Sequence, residues 1–124
     1  MRILKNKYFS KWAKKEGIDD KSLIDTTGEM EPGLVNANLG GYVFKQRVAI
    51  KGRGKRGGAR TVLAYKIGEK AFFIYGFAKN SRANISTKEL KGLKLYAATL
   101  LGYSDRELDK AVKNGALIEV ESNE

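Results

Sequence analysis

The chain has 124 residues, with 24 Lys and Arg against 14 Asp and Glu, a formal net charge of +10, and neither histidine nor cysteine. Those absences exclude disulfides, thiolate nucleophiles and thiolate or imidazole metal sites, so any chemistry rests on lysine, arginine, tyrosine or carboxylates. A 42% hydrophobic content suffices for one core at this length, and the surplus positive charge points to nucleic acid, an anionic membrane or an acidic protein as partner.

In chain order, residues 5–16 place Tyr8, Phe9, Trp12 and Ala13 at helical spacing among Lys5, Lys7, Lys11, Lys14 and Lys15, with Gly17 as the stop. This opening stretch has no 7–15-residue apolar run and no cleavage signal. Nor does any stretch approach the ~20 apolar residues of a membrane span, so the expected location is cytoplasmic. Leu23, Ile24 and Met30 predict a second, weaker helix ending before Pro32 and Gly33. GLVNANLGG reads either as an irregular lead-in or as a short edge strand.

GYVFKQRVAIK then alternates with period two. Tyr42, Phe44, Gln46, Val48 and Ile50 share one face; Val43, Lys45, Arg47, Ala49 and Lys51 share the other, as in a strand with one face in the core. RTVLAYKI (60–67) predicts a second strand and KAFFIYGFA (70–78) a third, joined by a tight hairpin at Gly68-Glu69. Apolar and aromatic residues on both faces of the third argue for a central position. The aromatic residues Tyr42, Phe44, Phe72, Phe73, Tyr75 and Phe77 are expected to pack in the core rather than to stack on bases, and Trp12 to seal the first helix onto the sheet.

Ser86 with Glu89, and Ser104 with Glu107, are capping boxes. The first opens a helix over 87–101 with an apolar stripe at Leu90, Leu93, Ala97, Leu100 and Leu101. The second opens a short helix through Leu108, Ala111 and Val112 that closes near Gly115. ALIEV is a candidate last strand. The expected fold is α+β: two N-terminal helices, a small antiparallel sheet of three to five strands, and C-terminal helices covering one face. One domain spans 1–124, with a helical part over 1–31, a basic sheet core over 42–85 and a helical part over 86–124.

Charge is concentrated in the middle. Between Gly33 and Gly68 there is no acid, but there are eight cations: Lys45, Arg47, Lys51, Arg53, Lys55, Arg56, Arg60 and Lys66. The segment GRGKRG (52–57) satisfies G-x-G-x-x-G, yet it leads into a strand rather than a helix, so no helix N-terminus meets a pyrophosphate. A Walker loop fails because Arg follows Gly-Lys. A solvated hairpin is the plain alternative. Against it, the glycines permit close backbone approach, and the loop continues the cationic face of the preceding strand. Lys45, Arg47, Lys51, Arg53, Lys55, Arg56 and Arg60 then form one phosphate-binding footprint.

YVFKQRVAIKGRGKRGGARTVLAYK and AFFIYGFAKNSRANIS closely resemble RelE-like toxins of bacterial type II toxin–antitoxin systems, in the RelE/ParE superfamily and its HigB-like branch. GLVNANLGG, the E-L-K-x-L-K-x-x-A helix and G-A-L-I-E-V fit the same branch, so the resemblance spans nearly the whole chain and is weakest over 1–31. It implies a compact microbial ribonuclease-like fold. It also implies messenger RNA cleavage at the ribosomal A site, translation inhibition, and a cognate antitoxin, DNA-binding in such pairs, that covers the basic face. No cofactor or metal is implied.

Carried over by this resemblance, the strand cations are Lys45 and Arg47, and the arginine that stabilises the phosphate in the transition state is Arg60. The cation after the last strand is Arg82 or Lys79. Lys51, Arg53, Lys55, Arg56 and Lys79 are the expected RNA contacts. Relatives with a C-terminal tyrosine or histidine as acid–base group differ from this chain, whose tail is ESNE.

In chemical terms the 2′-hydroxyl must lose a proton as its oxygen attacks phosphorus. Neighbouring cations stabilise the developing charge and disfavour a lysine's protonated form. Lys45 is therefore the candidate base, or else a plain phosphate anchor. Arg47, Arg60 and Arg82 contribute charge and bidentate contacts. The alternatives are a non-catalytic RNA- or DNA-binding protein, and a ParE-like inhibitor of DNA gyrase.

Overall fold

A computed structural model describes residues 1–50, 54–78 and 84–121, with backbone alone over 54–57. Its elements are β1 (Arg2–Asn6), α1 (Lys7–Glu16), α2 (Asp20–Met30), β2 (Ala37–Gly40), β3 (Val43–Ile50), β4 (Gly54–Lys66), β5 (Lys70–Ala78), α3 (Thr87–Leu101), α4 (Asp105–Lys113) and β6 (Leu117–Glu119). The strands form one sheet in the order β2-β3-β4-β5-β1-β6. Among the described residues no helix is long and apolar enough to cross a membrane.

Local chemistry accounts for the helix ends. Asn6 Oδ1 accepts the Phe9 N–H at 2.7 Å and caps α1. Gly17 closes that helix in the left-handed region, at φ 78°, where a Cβ would be strained. Asp19 caps α2 by accepting from the Ser22 N–H at 2.9 Å. Both expected capping boxes form, Ser86 with Glu89 and Ser104 with Glu107, and 87–101 is helical as read from the sequence.

The C-terminal helices cover one face of the sheet, as expected, and the N-terminal helices cover the other. Phe9 and Ala13 of α1 join Leu23 and Met30 of α2 over Val48, Ile50, Leu63 and Phe73. On the opposite face Ala97, Leu100 and Leu108 of α3 and α4 cover Val43, Val62, Ala64, Phe72 and Ile74. Each such large side chain taken from water contributes roughly 1.5–3 kcal/mol. This is why the central strands read as apolar on both sides.

Six strands form, one more than the upper expectation, and the extra one is β1. Its five residues, RILKN, overlap the start of the helix expected over 5–16. The helix begins at Lys7 instead, because Lys5 and Leu4 pair with Phe73 and Phe72 of β5. That pairing is parallel, so the sheet is mixed rather than wholly antiparallel. A short strand gains stability only from its distant partners, so its residues carry no local signal. Arg2 ties this strand down: its guanidinium bonds Glu119 of β6 at 3.0 Å and Asp109 of α4 at 2.6 Å, and the Glu119 hydrogen bond holds its pKa well above the ordinary arginine value. GLVNANLGG resolves as the edge strand β2 after a loop.

One aromatic expectation fails. Tyr42 lies at positive φ (63°) in the Gly40-Gly41-Tyr42 turn and is 56% exposed, so it leaves the face it would share with Phe44. Tyr75 packs against the core as expected, but a β-bulge sets the face on which it does so. Val62 pairs with Tyr75 and Leu63 with Phe73, which leaves Ile74 unpaired. The extra residue shifts the alternation by one, so Ile74 and Tyr75 both contact the α3 side of the sheet. Gly76 then faces Trp12, whose ring lies where a Cβ on Gly76 would be.

Candidate nucleic-acid interface

Strands β3 and β4 pair as the charged hairpin anticipated from the sequence. Lys45 lies opposite Val62, and Arg47 opposite Arg60. Directly paired residues of an antiparallel ladder share a face, so Lys45, Arg47 and Arg60 project to the same side. With Asn36 and Ala37 they line a cleft of about 320 Å³. No carboxylate is among its described lining residues.

The outer wall of this cleft is built by a buried amide. Gln46, only 2% exposed, points to the opposite face from Lys45 and Arg47. Its Oε1 accepts the Asn36 N–H at 2.9 Å, and its Nε2 donates to the Leu34 carbonyl at 3.0 Å. Thr61 Oγ1 donates to the Gln46 carbonyl at 2.9 Å, so the residue is fixed through its backbone too. Held in this way, Asn36 turns its Oδ1 to the Arg47 backbone N–H at 2.7 Å. Lys45 Nζ donates to Asn84 Oδ1 at 3.3 Å, and the same oxygen accepts the Ile85 N–H at 2.9 Å. The lysine thereby spans from β3 to the lead-in of α3.

The cationic rows continue across the sheet into aromatic ones. The register runs Ala37–Lys45–Val62–Tyr75 along one row, and Arg47–Arg60–Phe77 along the next. Tyr75 and Phe77 ring centroids lie 6.2 Å apart. Tyr8, from the first turn of α1, stacks on Tyr75 with centroids 5.7 Å apart and planes 8° from parallel.

Of the site residues expected from the sequence, Lys45, Arg47 and Arg60 come together. Lys51, Arg53, Lys79 and Arg82 lie outside the described residues, as do the side chains of Lys55 and Arg56. Asn36, which lines the cleft, and Asn84, which Lys45 bonds, were missed. No local motif marks the two asparagines, since each reaches the cleft only through a partner on another element. Away from the cleft, burial pushes the Tyr65 phenol up, and its hydroxyl has no hydrogen-bond partner among the described residues. It sits in the core beneath α1 and α2, edge-on to Phe44.

Comparison with curated proteins gave no match. The family model described as the RelE toxin of the RelE / RelB toxin-antitoxin system matches residues 1–120. The match covers the cationic hairpin, the cleft it forms and every element of the sheet, and the chain therefore belongs to the RelE toxin family, as the toxin of a toxin–antitoxin pair with a cognate antitoxin as partner.

Proposed function

We propose that the protein is a metal-independent endoribonuclease that cleaves messenger RNA at the ribosomal A site and thereby stops translation. The observation that carries this reading is the convergence of Lys45, Arg47 and Arg60 on one cleft. Three cations without a carboxylate make a site for a phosphodiester and repel a divalent cation. Arg47 and Arg60 grip the two non-bridging oxygens and stabilise the extra charge on the pentavalent phosphorus. Arginine stays protonated, so of the three side chains only Lys45, in its neutral amine form, offers a lone pair to take up the 2′-hydroxyl proton. As the 2′-oxygen bonds to phosphorus, the bond to the 5′-oxygen breaks and that oxygen takes a proton from water. The products are a 2′,3′-cyclic phosphate and a 5′-hydroxyl end. The expected RNA contacts at Lys51, Arg53, Lys55, Arg56 and Lys79, and the fourth catalytic cation at Arg82, complete this proposal from the sequence.

The test is a reconstituted translation reaction in which message 5′ ends are mapped for wild type and Arg60→Ala. Wild type is expected to generate new 5′-hydroxyl ends, and Arg60→Ala to lower their rate on the order of 10²-fold or more. Cleavage by Arg60→Ala at the wild-type rate removes Arg60 from this role. Intact message with salt-dependent RNA retention assigns binding without chemistry. Intact message with stalled supercoiling by gyrase assigns topoisomerase inhibition.

A further inference from the structure

We infer that Tyr8 and Tyr75 form a nucleobase-binding shelf beside the cationic cleft, where an unpaired base flanking the bound phosphates stacks. This deepens the reading of the cleft as an RNA site and rests on it. The position of the shelf follows from three features.

First, the bulge at Ile74 moves Tyr75 onto the face that carries Lys45, Arg47 and Arg60. Without that extra residue Tyr75 would follow Phe73 toward α1 and α2. Second, the pairing of β1 with β5 ends at Lys5 and Phe73, so beyond that point the edge of β5 meets α1. Asn6 fixes this junction. Its Nδ2 donates to the Ile74 carbonyl, at the bulge itself, at 3.1 Å, while its Oδ1 caps the helix. The turn that follows lays Tyr8 over Tyr75. Third, Tyr8 remains 53% exposed despite this stack, and Tyr96 of α3, which accepts a 3.4 Å bond from Asn6, is 38% exposed.

An aromatic pair serving only the core would be covered. Here it adjoins a cationic cleft, on a helix whose Lys7, Lys11, Lys14 and Lys15 are exposed. Cations tracking a backbone beside exposed aromatic rings are the arrangement that binds single-stranded RNA, each stacked base adding affinity with little regard to its identity. The surrounding positive charge favours RNA over an apolar protein segment.

The experiment measures binding rather than cleavage, so it is separable from the nuclease proposal. The probes are a single-stranded 2′-O-methyl oligouridylate, whose blocked 2′-oxygen prevents attack, and an oligomer of abasic sugar phosphates with the same number of phosphates. Wild type is expected to prefer the base-bearing oligomer. Tyr8→Ala should weaken binding to that oligomer about 5- to 150-fold and leave both the abasic affinity and the salt dependence unchanged, because stacking releases no counterions. Tyr8→Leu, which keeps an apolar contact with Tyr75, should lose the preference equally; Tyr8→Phe should keep it. By contrast, Lys45→Ala should flatten the log–log salt slope by roughly 0.7 for single-stranded RNA.

A base preference that survives Tyr8→Ala and Tyr8→Leu overturns the shelf and assigns the aromatic pair to a protein contact. Equal wild-type affinity for the two oligomers overturns it as well. No binding to either oligomer sinks both the shelf and the RNA site. Base preference lost in Tyr8→Ala, in a protein that leaves ribosome-bound message intact, upholds the shelf and removes only the nuclease proposal.

Discussion

Arg47 of β3 and Arg60 of β4 are direct cross-strand partners whose side chains line one cleft. Like charges directly opposite in a ladder destabilise it, by about 0.2–1 kcal/mol for an average pair. Among the described residues neither guanidinium has a carboxylate partner, and on the reading proposed above a bound anion supplies the counter-charge. Arg60→Gln is accordingly expected to raise the melting temperature by roughly 1–4 °C while slowing the proposed cleavage on the order of 10²-fold or more. Calorimetry beside the cleavage assay checks it; a lower melting temperature would show that Arg60 has a structural role instead.

Gln46 holds the 34–36 segment to β3 through two side-chain hydrogen bonds, at 2.9 and 3.0 Å. Gln46→Leu keeps the volume but strands a donor and an acceptor, at a cost of about 1–3 kcal/mol. The urea midpoint should fall accordingly. RNA affinity should fall with it, since Asn36 loses its anchor beside Arg47. An unchanged midpoint would mean that water replaces both bonds without loss.

The close approach of Trp12 to Gly76 leaves no room for a methyl group. Gly76→Ala should therefore destabilise by about 1–3 kcal/mol, as overpacking does, and move the emission of Trp12, the one tryptophan of the chain. Adding Trp12→Leu should recover part of the loss, because the two changes share one contact. Strict additivity would place the damage elsewhere.

Glu107 offers a pH prediction. Its carboxylate accepts the Ser104 N–H at 3.0 Å, and this bond, with the Ser104 hydroxyl next in weight, holds its pKa below the ordinary 4.5. A depressed carboxylate contributes stability that is present above 4.5 and lost as the pH falls through the folded-state value. Glu107→Gln should therefore melt below wild type at neutral pH, and the gap should close as the pH is lowered past 4.5. A gap that persists in acid would assign the effect to side-chain shape rather than charge.

Much of the fold was legible because its signals are local. The capping boxes Ser86/Glu89 and Ser104/Glu107, the helix stop at Gly17 and the β5 boundaries at Lys70 and Ala78 all depend on neighbours within a few residues. What failed was non-local. β1 exists through its pairing with a strand nearly seventy residues away. Lys45 and Arg47 could be placed together because alternation puts i and i+2 on one face. Asn36 and Asn84 could not, since each depends on a hydrogen bond to another element.

The sequence by itself determined the charge, the cationic strand face and the partnership of Arg60 with it, because period-two alternation and a hairpin are properties of a few consecutive residues. Only the tertiary structure decided where the aromatic residues went. One unpaired residue, Ile74, reverses the direction of every side chain after it, and nothing in KAFFIYGFA reveals that the ladder slips there. The slip is fixed by Trp12 filling the space over Gly76 and by Asn6 bonding the Ile74 carbonyl. Those contacts form only when α1 has packed against the edge of β5.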